Sequence, residues 1–312
     1  MSSSSSPRHV VVGAGATGTA TALLLAGSGE RVRVLTRRGT GPDHPLIERH
    51  AVDATDAARL VELTQGAETL FNCAMPAYHR WPTDWPPLAG ALLTAAERTG
   101  ARYVMLGNVY GYGPVDGPMT EDLPMAPSTV KGRVRAAMWT DALAAHDAGR
   151  VRVTEVRASD FVGAGANSLY NFLVVPHVLA GTPAVLPGDL DAAQSWTYTG
   201  DVARTLVAAA RSTRSWGRAW HVPSSTRSIR ATTARLAALT GSPEPRLTRM
   251  TAEEVRTIGR RDPIMAEVEE MLYLTEGDST LDATLTTRIL GVTATPLDTA
   301  LSEFAAARPA HA

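Results

Sequence analysis

Apolar and polar positions along the chain fall into a repeating rhythm. Residues 9–12 form a short apolar run that stops at Gly13, and residues 16–27 resume with helix-forming alanines and leucines. This order predicts a strand, a tight turn and a helix. Residues 31–35 alternate in the manner of a second strand, a third ends at Val52 and Asp53, and residues 70–74 and 103–106 read as two more. Between those last two, residues 86–99 predict a helix with proline at its start and Gly100 just past its end. Residues 129–146 predict another long helix, ended near Gly149, and 151–156 the next strand. Strands alternating with helices imply an α/β fold, a Rossmann doubly wound parallel sheet covered on both faces. Beyond it the rhythm changes: residues 163–188 and 212–296 carry more proline, glycine and charge, with short helices at 251–260 and 263–272. The expected division is a disordered tail over 1–7, a dinucleotide-binding domain over 8–160, and a mixed part over 161–312. That last part holds the final sheet strands and a smaller substrate-binding region. No internal repeat is visible.

Composition narrows the partners. The 312 residues, 44% hydrophobic and 20% charged, suffice for one large core and a satellite. Thirty basic against 31 acidic residues leave no electrostatic footprint for nucleic acid, and no basic run marks a membrane surface, so a small-molecule substrate is expected. The single cysteine, Cys73, has no second thiol for a disulfide or a metal cage. A reducing, cytoplasmic setting without a metal centre follows as an expectation. The opening serine run lacks the apolar core of a signal peptide, and nowhere do about 18 apolar residues run unbroken as a membrane span requires. Arginine is abundant and lysine occurs once, at Lys131. Either a guanidinium cannot substitute there, or the survivor is chance.

The chemistry starts at VVVGAGATGTATALL, where Gly13, Gly15 and Gly18 stand in GxGxxG spacing between a strand and a helix. Gly13 permits the turn, Gly15 lets the backbone approach a pyrophosphate, and Gly18 allows close helix packing, with Ala16 and Thr17 opening the helix toward the anion. An NAD-preferring site usually carries an acid at the end of the second strand to hold the ribose 2′-hydroxyl. Here that strand ends in Thr36, Arg37 and Arg38, which fits a 2′-phosphate, so NADP(H) is favoured over NAD(H). The alternative is a solvated arginine pair. Asp53 is placed to accept from the adenine amino group.

Together these features resemble the short-chain dehydrogenase/reductase superfamily in its extended and atypical branch, the NAD-dependent epimerase/dehydratase family. The resemblance spans nearly the whole chain and rests on GAGATG, HAVDATD, FNCAMP, RYVMLGNVYGYGP, VRASDFVGAG and SWTYTGDVARTL in that order. It implies a Ser or Thr, a Tyr and a Lys as the chemical trio, the last two in YxxxK, with Tyr moving the proton and Lys lowering its pKa and holding the nicotinamide ribose. Lys131 matches the lysine. The tyrosine position is Pro127, which cannot move a proton, and the serine position is Asn108, whose amide still hydrogen-bonds an oxygen. Ala74, in the fourth-strand motif, is expected to border the cofactor.

Tyr110 falls roughly where related dehydratases carry an acid, which makes it the surrogate proton donor. Tyr112 better matches the family's structural tyrosine, yet joins Tyr78, Tyr110 and Asp160 as a candidate substrate contact. His79 follows Tyr78 as a further candidate. Asp201 is expected to cap the helix after it, His177 and His221 to be ordinary hydrogen-bonded histidines, and Cys73 a small buried hydrophobe. Trp81, Trp85 and Trp196 form either an aromatic wall or core, and Asp116, Glu121 and Asp122 either a solvated loop or a replacement acid. The leading expectation is an NADPH-dependent oxidoreductase acting on a carbonyl, enone or imine of a small metabolite. The alternatives are an epimerase or dehydratase, and a non-catalytic NADP(H)-sensing regulator. Relatives pair through the helices expected at 86–99 and 129–146, which implies a possible homodimer.

Overall fold

The computed structural model describes residues 7–306. Its first half runs β1 (His9–Val12), α1 (Ala16–Gly27), β2 (Val32–Thr36), β3 (Ile47–Ala51), α2 (Ala57–Thr64), β4 (Thr69–Asn72), α3 (Trp81–Thr99), β5 (Arg102–Asn108), α4 (Val130–Asp147) and β6 (Val153–Ala158). The second half continues with β7 (Asp160–Val162), α5 (Leu169–Leu173), α6 (Val175–Ala180), β8 (Ala184–Pro187), β9 (Ala193–Tyr198), α7 (Thr199–Arg211), β10 (Arg218–His221) and β11 (Ser225–Ser228). It ends with α8 (Ile229–Thr240), β12 (Leu247–Met250), α9 (Ala252–Gly259), α10 (Pro263–Ala266), α11 (Thr284–Leu290) and α12 (Leu297–Ala306).

Seven strands form one sheet in the order β10-β6-β5-β4-β1-β2-β3, and every pair is parallel. Alternate residues of each strand serve opposite layers: Val10 and Val12 join the core beneath α2, α3 and α4, while Val11 joins the one beneath α1 and α7. Burial on both faces is why β1 reads as an unbroken apolar run. The strand order reverses between β1 and β4, and in sheets of this topology the crevice that takes ligands lies there, at the carboxyl ends of the strands. A second, three-stranded sheet (β11-β9-β7), the β8–β12 pair and the helices α5, α6, α8 and α12 build a separate core around Trp196, Leu236 and Leu301.

Several expectations shift. The helix expected from Pro86 starts at Trp81, and Pro86 and Pro87 lie inside it. Pro82 already stands in its first turn, where the missing N–H costs nothing, so the later prolines were a misleading start signal. The 263–272 helix is two pieces, α10 and a 3-10 segment over Glu269–Leu274. Pro7, assigned to the tail, is buried, and the rest of that tail lies outside the described residues. Asp201 does not cap α7. The N-cap is Tyr198, and Asp201 accepts instead from the Thr295 backbone N–H at 2.7 Å and hydroxyl at 2.6 Å, tying down the segment before α12. Among the described residues no helix is long and apolar enough to cross a membrane.

Candidate functional site

Gly13 is the turn residue, with φ of +96°, and a Cβ there would lie 2.5 Å from the Cys73 carbonyl oxygen. Gly18 is as tightly constrained, because its Cβ would come within 2.1 Å of the Gly13 carbonyl oxygen. Gly15 is different: a Cβ there would meet nothing within 4 Å. It is also the N-cap of α1, and no side chain caps that helix and no acid stands in its first turn. The first N–H groups of α1, at Ala16, Thr17 and Gly18, thus have no side-chain cap at the positive end of a helix dipole, beside the open space over Gly15, a fit for a pyrophosphate. Gly15→Asp gives opposed readouts. The carboxylate is a better N-cap than glycine by a few tenths of a kcal/mol, so the melting temperature holds or rises. Binding of a nicotinamide dinucleotide, followed by the fluorescence of its reduced form, should be lost through repulsion. A variant that still binds with unchanged affinity places the phosphates elsewhere.

Strand order sets the rest of the crevice out in a line. From one side to the other come Arg37 and Arg38 after β2, the Gly13–Gly18 turn after β1, Ala74 and Tyr78 after β4, Asn108 and Tyr110 at the end of β5, and Asp160 after β6. Three strand spacings from β2 to β5 make about 14 Å. Arg37 and Arg38 are exposed, and neither forms an ion pair among the described residues. Asp53 is also exposed, but its Oδ1 accepts from the Thr55 N–H at 3.0 Å and hydroxyl at 2.8 Å, which holds its carboxyl below the usual range. Ala74 donates its N–H to Asn72 Oδ1 at 3.2 Å.

At the other end of the line, Tyr78 and Tyr110 face each other with hydroxyls 3.5 Å apart, Tyr78 donating. The Tyr110 ring is packed against Trp81, centroids 5.9 Å apart. Burial pushes both phenols above their ordinary range, and the carboxylates of Asp160 and Glu270 add to this. Asn108 is the N-cap of the turn that carries Tyr110, its Oδ1 accepting from the Tyr110 N–H at 3.2 Å. Its amide is therefore a support for Tyr110. Asp160 is exposed on one side yet crowded by protein, and this desolvation, with no compensating partner among the described residues, raises its pKa to about 6. Below the ordinary value of 3.8 both folded and unfolded chains carry the proton. As pH rises toward 6 only the unfolded chain ionises readily, so stability falls. Asp160→Asn accordingly melts higher than the parent at pH 8 and level with it near pH 3.5. A difference independent of pH refutes the desolvated carboxyl.

Besides Asn108, expected as a catalytic group and taken up by the Tyr110 turn, Lys131 and Tyr112 are placed otherwise than expected. Lys131 is fully covered, and its ammonium is spent: Nζ pairs with Glu267 and, at 3.1 Å, with Glu270. Glu270 also accepts from the Val130 N–H at 2.7 Å, the first N–H of α4, whose N-cap is Thr129. A buried cation needs counter-charges, and the C-terminal region supplies two in place of a ribose. Tyr112 does not contact the crevice either. Its hydroxyl accepts from Arg157 Nη1 at 2.7 Å and meets His221 Nε2 at 2.7 Å. His221 Nδ1 lies 2.9 Å from the Asp282 carbonyl, which only accepts, so Nδ1 carries the proton and Tyr112 donates to Nε2. Burial lowers the pKa of His221 to about 4 and raises that of Tyr112 to about 12.

The remaining candidates are structural. Trp81 and Trp85 are core, clasping the buried Arg135 guanidinium at 4.5 Å from each ring, and desolvation lowers that guanidinium to about 10. Trp196 is packed on Tyr170 and donates to the Arg227 carbonyl. His177 bonds Thr182, and burial pushes the Cys73 thiol up to about 12. Glu121 is half-buried and accepts from the His221 N–H at 3.2 Å, while Asp122 accepts from Thr120 on the surface. Asp116 makes no described ion pair. Sequence reasoning missed Glu267, Glu270 and Tyr273, whose hydroxyl reaches the Tyr110 carbonyl at 3.5 Å. They stand 136 to 163 residues from their partners. Only the i, i+3 spacing of the two glutamates was a local signal.

The profile of the NAD dependent epimerase/dehydratase family matches residues 9–222. Among solved structures, the chain is similar to a dTDP-glucose 4,6-dehydratase from Streptomyces venezuelae with NAD bound. The identity is 21%, 96% of each chain is covered, and the TM-score is 0.76. It is similar also to a UDP-glucose 4-epimerase from Thermotoga maritima with UDP-glucose, at 17% identity, 96% and 97% coverage and a TM-score of 0.76. A UDP-glucuronic acid 4-epimerase from Bacillus cereus with UDP-glucuronic acid and NAD gives 17%, 95% and 97%, and 0.76. No curated protein matches the chain. At these identities the likeness speaks for the fold.

Proposed function

The chain belongs to the NAD-dependent epimerase/dehydratase family, and on that premise we propose that it binds NADP(H) and reduces a carbonyl, enone or imine carbon of a small metabolite. One observation carries the reading: an uncapped helix end opened by Gly15 lies in line with two arginines that form no ion pair among the described residues on one side and a hydroxyl pair with a crevice-facing acid on the other. When bound, a nicotinamide dinucleotide supplies the hydride. Arg37 and Arg38 would take the 2′-phosphate, the α1 N-terminus the pyrophosphate, and Ala74 the wall between. Tyr110, kept as a neutral phenol by burial, donates its proton to the substrate oxygen or nitrogen as charge develops there. Asn108 fixes the turn that aims it, and Asp160 faces the same space as an acid that exchanges protons near neutral pH.

A second reading, epimerisation or dehydration of a nucleotide sugar with no net change in the dinucleotide, is favoured by the family and by the activities of the similar structures. It needs a group that both takes and gives a proton, and Asp160 is the crevice-facing candidate. Two assays separate the readings: NADPH consumption with a carbonyl panel, and conversion of dTDP- or UDP-sugars at constant dinucleotide. Binding without either turnover leaves the cofactor-sensing role. For the dinucleotide itself, Arg37→Ala with Arg38→Ala should cost about 1.5–3 kcal/mol of NADPH affinity, or roughly 10–100-fold in Kd, and leave NADH affinity unchanged. Equal losses for both coenzymes refute the 2′-phosphate assignment.

A further inference from the structure

Tyr78 stands on a single 3-10 turn (Tyr78–Arg80) after β4, and three contacts fix its ring and hydroxyl. The Lys131 ammonium lies 4.5 Å from the ring centroid, over its face. Trp81 meets the ring at its edge, centroids 5.1 Å apart. The hydroxyl donates toward Tyr110. Lys131 and Tyr110 share no direct bond among the described residues; what joins them is Tyr78.

We propose that Tyr78 is a positioning residue that couples the covered charge of Lys131 to the hydroxyl of Tyr110, so that Lys131 assists proton donation without touching the cofactor. The inference rests on the reading of Tyr110 as proton donor. A cation over the face of a phenol withdraws electron density from it and makes its O–H a stronger donor. That stronger donor, aimed at the Tyr110 oxygen, stabilises the phenolate that forms as Tyr110 gives its proton away. The Tyr78 bond favours the charged form of Tyr110, opposing the push from burial, Asp160 and Glu270. At 3.5 Å the O–H···O contact is long, as such bonds often are before a ligand closes the site.

The surroundings suit a relay. Lys131 is fully covered, and Glu267 and Glu270 hold it rigid; their two charges oppose its field, and Glu270 pushes both phenols upward, so the coupling depends on the ammonium standing directly over the Tyr78 ring. The other charged or titratable groups facing the pair are Arg135 from α4, Asp160 from β7 and Tyr273 from the segment after α10. After each transfer Tyr110 recovers its proton from Asp160 in its acid form or from water in the crevice, so the substrate gains one hydride and one proton per turnover.

The test places 3,5-difluorotyrosine at position 110 and follows its ionisation by 19F NMR in the NADPH-bound chain, with NADPH Kd measured by fluorescence. Tyr78→Phe and Lys131→Met should each raise the ionisation midpoint by 0.5 pH units or more, while Lys131→Arg, which keeps a cation over the ring, stays within 0.3 of the parent. NADPH Kd should remain within twofold in Lys131→Met. Unchanged midpoints in both variants, or a tenfold loss of NADPH affinity in Lys131→Met, overturn the relay. If Lys131→Met does not fold, Tyr78→Phe and Lys131→Arg decide it alone. Absence of NADPH binding in the parent would instead sink the functional reading, and the midpoints, measurable without cofactor, would still judge the coupling.

Discussion

Tyr110→Phe should lower kcat by about 10²–10⁴-fold, the usual contribution of a positioned general acid, and leave the melting temperature and dinucleotide Kd in place. The hydroxyl it removes has one side-chain partner, Tyr78 at 3.5 Å, so little native hydrogen bonding is lost. The ring keeps its packing against Trp81. An unaltered Kd with a collapsed kcat identifies an interaction made in the transition state. Steady-state kinetics beside a thermal melt reads both. A kcat within threefold of the parent removes Tyr110 from the chemistry, and Asp160 becomes the group to replace next.

Glu155→Ala should destabilise the fold by about 3–5 kcal/mol, the range found when one partner of a buried ion pair is removed. Such a loss corresponds to roughly 10 °C in melting temperature for a chain of this size. Glu155 and Arg157 are both buried on β6, joined by a 2.6 Å bond from Arg157 Nε. Room for the carboxylate comes from Gly107 on β5, where a Cβ would lie 2.3 Å from Glu155 Oε1. Without Glu155 the guanidinium keeps the Tyr112 hydroxyl and the Tyr112 and Trp139 ring faces but, among the described residues, no counter-charge. Replacing the pair together, Glu155→Leu with Arg157→Met, removes the charge as well and should cost much less. Denaturant unfolding compares them. If the double variant is as unstable as Glu155→Ala, cavity and packing set the loss, and the unpaired charge does not.

The two predictions differ in how visible their residues were beforehand. Tyr110 could be singled out because it follows a strand at the carboxyl edge of a parallel sheet, a place set by local order. The Glu155–Arg157 pair could not, because two charged residues in a strand read as surface until the covering layers are known. Lys131 is the middle case. Its position on the face of a helix after the fifth strand was legible. Its partners were not, since Glu267 and Glu270 arrive from the far end of the chain.

Local chemistry in the sequence determined the strand–turn–helix at Gly13–Gly18, the alternation that stacks helices on both faces of a parallel sheet, and the line of loops from Arg37 to Asp160. These depend on periodicity and glycine conformation, which act between near neighbours. Tertiary structure alone decided which polar groups remained open. Tyr112 and Lys131 carry the right chemistry for a site, yet burial obliged each to find partners, and those partners, Arg157 with His221 and Glu267 with Glu270, consumed them. Tyr78, Tyr110 and Asp160 stay at the carboxyl edge of the sheet, where the two tyrosines bond each other and Asp160 makes no ion pair among the described residues. The cost of leaving a buried charge or donor unpaired is what sorts the two sets, and it is settled only when the whole chain has packed.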